Sequence, residues 1–380
     1  MTVRNRGRFV LLAAALVFYL AGTFACRPEG EAEAARYKDA AAALLRKGLT
    51  ELGAPALLGE IVSVGHRLTG SPQAAEAVEV ARRLMEEMGL ENVHLEPTTV
   101  GRWVRGGVEC RLESDIGGAV PLDALAVGGS EATPVPGILA GVIEVRSFEE
   151  LAAAGDKARG RIVFFNRSMD PAALDTFGAY GAAAEQRVRG AVETARAGGA
   201  AALVRSLTTS LDDYPHTGLM EYEEGTERVP AACLSTRSAE RLSEALKRDP
   251  EARVFLRLEC RRLDPVVSHN VVGDLTGTEK PEEIILLGGH LDSWDLGTGA
   301  HDDGAGCAHA LEALRLLREL GLRPKRTVRA VMFMDEENGG TGGRDYARAE
   351  ARRAEKHLAA IESDRGGFLP LGFGIGGDER

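Results

Sequence analysis

Aromatic residues make up only 5% of this 380-residue chain, so its cores must rest on Ala, Leu and Val. Cysteine is equally scarce. Five in the whole chain exclude a disulfide-built scaffold. Basic residues fall short of acidic ones, 46 against 57, for a net charge of −11. With no Lys/Arg block, that balance excludes an ordinary nucleic-acid binder. The 46 Gly and 15 Pro follow no fixed period, which excludes a collagen-like chain. What remains is an ordinary globular composition, 44% hydrophobic and 27% charged, long enough for two domains.

The N-terminus reads as an address. Arg4, Arg6 and Arg8 precede an apolar run from Phe9 to Ala21, and Thr23-Phe24-Ala25 follow. A basic start, a short apolar stretch and small residues fit a signal peptide over residues 1–25. The run is shorter than the roughly 20 residues a spanning helix needs, although an uncleaved anchor is the alternative. Cys26 stands where a bacterial lipoprotein carries its lipid, with Thr23 in place of the usual Leu. The expectation is a secreted or periplasmic protein, either free or lipid-anchored at Cys26. In such a compartment Cys233 and Cys260 can pair, or Cys110, Cys233, Cys260 and Cys307 can all stay as free buried thiols.

Three regions follow the leader. Residues 27–115 begin with a Glu/Ala/Arg-rich helical lead-in. Ser71-Pro72 then opens a helix that Gly89 ends, and Val93–Val100 follow as a strand. Residues 116–260 form a small mixed domain. Its expected strands are Arg161–Phe165, Ala201–Val204 and Val254–Leu258, and its helices Ala182–Ala197 and Thr236–Leu246. Residues 261–380 change to regular strand–helix alternation. The strands are Ile284–Leu287, Val328–Met334 and Leu358–Ile361, and the helices start at Gly304 and at Gly343, the latter reaching Lys356. Apolar strands separated by amphipathic helices predict an α/β fold with a mostly parallel sheet flanked by helices.

The chemistry lies at strand ends. Three successive strands each deliver metal-binding groups just past their carboxyl ends, the edge where open α/β sheets bind ligands. They are His290 with Asp292, then Glu336 with Glu337, then Asp364. Asp302 and Asp303 add two acids in the loop that enters the first helix. Each is unremarkable alone: a core His, a helix cap, a solvated helix start. Together, so many acids in one crevice repel one another unless a cation holds them. One imidazole with carboxylates suits Zn²⁺. Adjacent Glu residues at a strand end point different ways, so one can ligate while the other faces a reacting water.

These motifs resemble the M28 family of co-catalytic zinc peptidases: His290-Leu-Asp292-Ser, Asp302-Asp303-Gly-Ala-Gly, Glu336-Glu337 and Glu362-Ser-Asp364. Arg67-Leu-Thr-Gly-Ser-Pro72 is similar to the family's early loop-to-helix signature. Trp103–Gly106, Phe177–Gly181, Gly190–Glu193, Pro215–Gly218 and Leu322–Thr327 are similar to its carboxypeptidase Q branch. The resemblance implies a zinc exopeptidase fold, with residues 116–260 as an inserted protease-associated domain. It implies two Zn²⁺ ions: His290 and Asp364 on one, Glu337 on the other, and Asp302 bridging both through a cis Asp302–Asp303 unit. Glu336 is then the general base. Asp292 supports His290 by a hydrogen bond. The implied reaction is hydrolysis of dipeptides or terminal residues of short peptides, as a monomer or homodimer.

The family also uses a further His after a later strand. The last His here, His357, precedes Asp364, so the expectation is that the C-terminal portion of the peptidase domain is missing and that the second ion is held weakly. His216 can face the active site, a dimer contact or merely a turn, and His301 is expected to face solvent. The rival readings are a non-catalytic metal-binding homologue and a zinc acyltransferase of glutaminyl cyclase type.

Overall fold

Two helices, α1 (Pro28–Glu51) and α2 (Gly53–Val62), lead into α3 (Pro72–Glu87). The Ser71 hydroxyl caps α3 by accepting from Ala74 N at 3.1 Å, Pro72 takes the first turn, and Gly89 at φ 66° follows its end. Its apolar face, Ala77, Val78, Ala81, Leu84 and Met85, packs into one core with Ile61, Leu311 and Leu314. Each large side chain buried there contributes about 1.5–3 kcal/mol. The computed structural model describes residues 28–115, 117–370 and 372–376. The predicted leader and Cys26 lie outside the described residues.

The remaining elements are mostly strands, with helices between some of them. They are β1 (Glu91–Val104), β2 (Val108–Ser114), β3 (Gly118–Pro121), β4 (Ala124–Ala126), β5 (Ile138–Val145), α4 (Phe148–Ala154), β6 (Ile162–Phe165), α5 (Thr176–Arg196), β7 (Ala201–Arg205), β8 (Ala231–Leu234), α6 (Thr236–Arg248) and β9 (Arg253–Leu258). After them come β10 (Arg261–Leu275), β11 (Lys280–His290), α7 (Ala305–Glu319), β12 (Arg326–Phe333), α8 (Thr341–Arg348) and β13 (Lys356–Glu362). They build two sheets. One has five strands in the order β1-β10-β12-β11-β13, and the other eight in the order β3-β2-β9-β5-β6-β7-β8-β4.

The α/β expectation holds, with a mixed sheet. In the five-stranded sheet, β11 runs parallel to β12 and β13, while β10 is antiparallel to β1 and β12. The second sheet leaves and re-enters through paired strands. β1 and β10 stay paired, with register shifts after Glu91 and after Val100, as far as Val104 opposite Arg261, and residues between those ends form the excursion. It starts earlier than residue 116, because β2 pairs with β9 from Val108 onward. The helix expected up to Lys356 ends at Arg348. Arg352 and Glu355 pair there with Glu96 and Arg329, and the backbone tightens into a short 3-10 turn before β13. Cys110, Cys233, Cys260 and Cys307 are all free and buried, so Cys233 and Cys260 do not pair.

Candidate metal centre

The parallel strands set the site. β11 lies between β12 and β13, with His290 opposite Phe333 and Gly288 opposite Glu362, so the three carboxyl ends finish level. Main-chain bonds carry that alignment past the strands: Leu291 N donates to Phe333 O at 2.6 Å and Ser363 N to Gly288 O at 3.1 Å. The continuations of these strands bring the acidic groups round one imidazole.

His290 is the fixed member, only 1% exposed. Its Nε2 lies 3.1 Å from Asp302 Oδ1, 3.2 Å from Asp364 Oδ1 and 3.9 Å from Glu336 Oε2. One donor atom each from His290, Asp302 and Asp364 lie within 4.8 Å of one another. Donors about 2.0–2.2 Å from a tetrahedral Zn²⁺ stand about 3.3 Å apart, so two of the spacings already match those round one ion. The Asp302 side chain is 65% exposed, which leaves an open face above the buried ring.

Electrostatics give the same answer. Burial opposes a charge on His290, yet its hydrogen bonds with Asp302 and Asp364 outweigh that and raise its pKa. The hydrogen bond to His290 lowers the Asp302 pKa. Burial, reinforced by the Asp302 charge, pushes Glu337 up to about 8. Its Oε1 is buried with no hydrogen-bond partner. Burial also raises Glu336. An orphaned carboxylate oxygen beside further acids is the state expected of ligands that a divalent cation would pair. The residues present therefore fit zinc: His290, Asp302 and Asp364 as one set, with Glu337 outside that cluster.

Asp292 is placed differently from its expected role. Its carboxylate is 3.8 Å from His290 Nδ1, and the ring nitrogen's partner is the Asp292 carbonyl oxygen at 3.1 Å. The tight His-Leu-Asp turn brings the main chain, not the side chain, to the ring. The buried carboxylate instead accepts from Glu336 N at 3.1 Å, Glu337 N at 3.2 Å and the Thr69 hydroxyl at 2.7 Å. It holds the end of the neighbouring strand.

Several supporting groups were not singled out individually in the sequence. Thr69 links Asp292 to Asn338, whose amide donates to its hydroxyl at 3.0 Å. The fully buried Arg67 guanidinium donates to the carbonyls of Leu291, Thr298 and Gly299 and so ties down the loop before Asp302. Asp303 accepts from His290 N at 3.0 Å and Gly306 N at 2.9 Å, and burial pushes its pKa up to about 8. Gly289 permits that approach, because a Cβ there would stand 2.5 Å from Asp303 Oδ2. The visible signal for Arg67 and Thr69 was their shared loop motif. The Asp302–Asp303 peptide is cis. His301 is exposed and meets Phe368 edge-on, and His357 bonds Tyr346 away from the cluster.

Residues 270–372 match the sequence profile of Peptidase family M28. Carboxypeptidase Q of Bos taurus is 39% identical over 319 residues, covering 84% of this chain, and the chain spans 65% of that relative's length. The Mus musculus carboxypeptidase Q is 36% identical over 353 residues, 92% of this chain and 73% of the relative. The crystal structure of a peptidase M28 precursor from Shewanella amazonensis SB2B superimposes with a TM-score of 0.81 at 37% identity, covering 87% of this chain and 74% of that one. A zinc aminopeptidase from Bacillus subtilis shares the fold, with a TM-score of 0.57 at 19% identity over 82% of this chain and 68% of that one. On this ground the chain belongs to peptidase family M28.

Proposed function

We propose that this chain forms the zinc-holding and base-carrying part of an exopeptidase that hydrolyses dipeptides or terminal residues of short peptides. The observation that carries the reading is the cluster of His290, Asp302 and Asp364, with the Glu336 carboxylate 3.9 Å from the same imidazole nitrogen. Zinc held there supplies Lewis acidity, which polarises the scissile carbonyl and makes water more acidic. Glu336 takes a proton from the attacking water as the new C–O bond forms. It then delivers that proton to the departing nitrogen as the C–N bond breaks, leaving a carboxylic acid and an amine. Burial keeps its pKa above that of an ordinary Glu, which suits a group that must both accept and return a proton. Asp292 positions it through the main chain.

The excursion between Val104 and Arg261 serves in this reading as an inserted protease-associated domain that limits access and supplies no metal ligand. Export follows from the leader-like residues 1–25, and no helix among the described residues is long and apolar enough to cross a membrane. One ion should bind tightly at His290, Asp302 and Asp364, and a second more weakly beside Glu337. The test is zinc per chain and release of amino acids from a dipeptide panel, for the natural protein and for Glu336→Gln. The variant should keep its zinc and lose turnover by about 100-fold or more. Undiminished turnover in the variant would remove Glu336 as the base. Bound zinc with no hydrolysis by the natural protein would leave a non-catalytic metal protein.

A further inference from the structure

The second sheet has a carboxyl edge of its own. β5, β6, β7 and β8 run parallel, and the chain leaves β5 at Arg146, β6 at Asn166 and Arg167, and β7 at Arg205. Open parallel sheets bind ligands at such an edge. Glu240, Ser243 and Lys247 face it from α6, where spacings of three and four residues put them on one side of the helix. These elements enclose a cavity of about 300 Å³, the lower end of the range for small-molecule sites. None of its walls belongs to the ion cluster.

Four cations line this cavity: Arg146, Arg167, Arg205 and Lys247. Arg205 is only 7% exposed. Its Nη2 donates to Glu240 Oε1 at 2.7 Å and its Nη1 to Asn166 Oδ1 at 3.2 Å, while its Nε is buried with no acceptor. A buried donor left unpaired is costly. Among the described residues, the side chains of Arg146, Arg167 and Lys247 pair with no acid. The neighbouring acids are engaged by neutral donors. Glu144 accepts from Asn166 Nδ2 at 2.7 Å and from the Ser243 hydroxyl at 3.0 Å, and Glu150 accepts from Arg146 N at 2.7 Å. The wall thus holds four cations and one carboxylate, Glu240, on a chain whose net charge is −11. Like charges gathered in this way repel one another unless an anion joins them.

The backbone beneath these cations is fixed. The buried Gln186 side chain on α5 accepts from Arg167 N at 3.1 Å and donates to Arg167 O at 2.7 Å. The Glu150 carboxylate holds Arg146 N in the same way. Main chain is therefore anchored while the charged heads stay available. A guanidinium fork pairs with two phosphoryl oxygens at once, and a lysine adds a point charge. A lone carboxylate answers one fork. A phosphomonoester offers three acceptor oxygens and a charge of about −1.5 to −2 at pH 7, which suits several cations round one cavity.

We propose that this cavity of the second domain binds a phosphomonoester group, with Arg205 Nε and the side chains of Arg146, Arg167 and Lys247 as its donors. The site is independent of the peptidase reading, and neither needs the other. The test is calorimetry on the full chain at low ionic strength with three probes: inorganic phosphate, glycerol 3-phosphate, and phosphatidylcholine vesicles containing phosphatidic acid. Glycerol 3-phosphate should bind, and added salt should weaken it. Arg146→Gln and Arg167→Gln, both at exposed positions, should each weaken it about 10-fold or more. Glu240→Gln keeps an acceptor for Arg205 and deletes the competing charge, so it should tighten binding. Unchanged urea midpoints show that the variants are folded. Inorganic phosphate binding as tightly as glycerol 3-phosphate assigns the site to the free ion, and tighter binding to the vesicles assigns it to a lipid headgroup. Either supports a phosphoryl site when both arginine variants weaken it. No binding of any probe, or arginine variants that bind like the natural protein, overturns the proposal.

Discussion

Asp292→Asn separates two roles that a carboxylate near a metal-binding histidine can have. In this structure Asp292 accepts three hydrogen bonds, from Thr69, Glu336 N and Glu337 N, at 2.7–3.2 Å. An amide has one acceptor oxygen, so at most one of the two main-chain bonds survives and the amide nitrogen faces the other N–H. A buried main-chain donor left unpaired costs about 1–3 kcal/mol, and the retained bonds lose their charge assistance. The sum is about 2–4 kcal/mol in the zinc-loaded protein. In the zinc-stripped protein the loss should be smaller, because Asp292 there adds to the repulsion that raises Glu336 and Glu337. Turnover should fall about 10–100-fold through displacement of the Glu336 main chain. The assay is urea unfolding at pH 7 with and without zinc, alongside dipeptide kinetics. An unchanged unfolding midpoint and unchanged kcat would refute the anchoring role.

In zinc-stripped protein, stability should fall as pH rises from about 5 to 8. Asp303 and Glu337 have folded pKa values pushed to about 8, and Asp335 to about 6, all above their unfolded values. The folded state therefore binds more protons than the unfolded state across this range, and the slope of stability against pH is negative. His290, raised as well, adds in the same direction above its unfolded pKa. Saturating zinc should flatten the profile, and thermal unfolding in matched buffers that rises with pH in the stripped protein would contradict the sign. Glu337→Gln should lower the affinity for a second zinc and spare the first. Loss of both ions from a folded variant, read by metal analysis, would place Glu337 in the first site.

Much of the centre was legible because metal ligands at the ends of parallel strands leave a regular trace. An apolar run ends in His290, the next in Asp335-Glu336-Glu337, the third in Glu362-Ser363-Asp364. Helix starts were legible at the capping residues Ser71 and Ser235, but not at Asp175, whose cap opens α5 six residues before the expected Ala182, nor at Ser147, which caps α4. Contacts that depend on the main chain were hidden. Nothing in the spacing of His290 and Asp292 tells that the carbonyl, not the carboxylate, reaches the ring. Long-range pairing was hidden too. The fifteen-residue β10 alternates poorly in burial because its first half is exposed and its second half lies inside the sheet. Arg205 read simply as the residue after an expected strand, since Asn166 and Glu240, which hold it, lie 39 residues before it and 35 after.

The central claim is that His290, Asp302 and Asp364 hold one ion. Anomalous diffraction at the zinc edge from crystals of the zinc-loaded protein tests it most directly. The expected result is a peak about 2.0–2.2 Å from His290 Nε2 and from one oxygen each of Asp302 and Asp364, with any weaker second peak beside Glu337. Strong peaks elsewhere, with none at His290, would contradict the account.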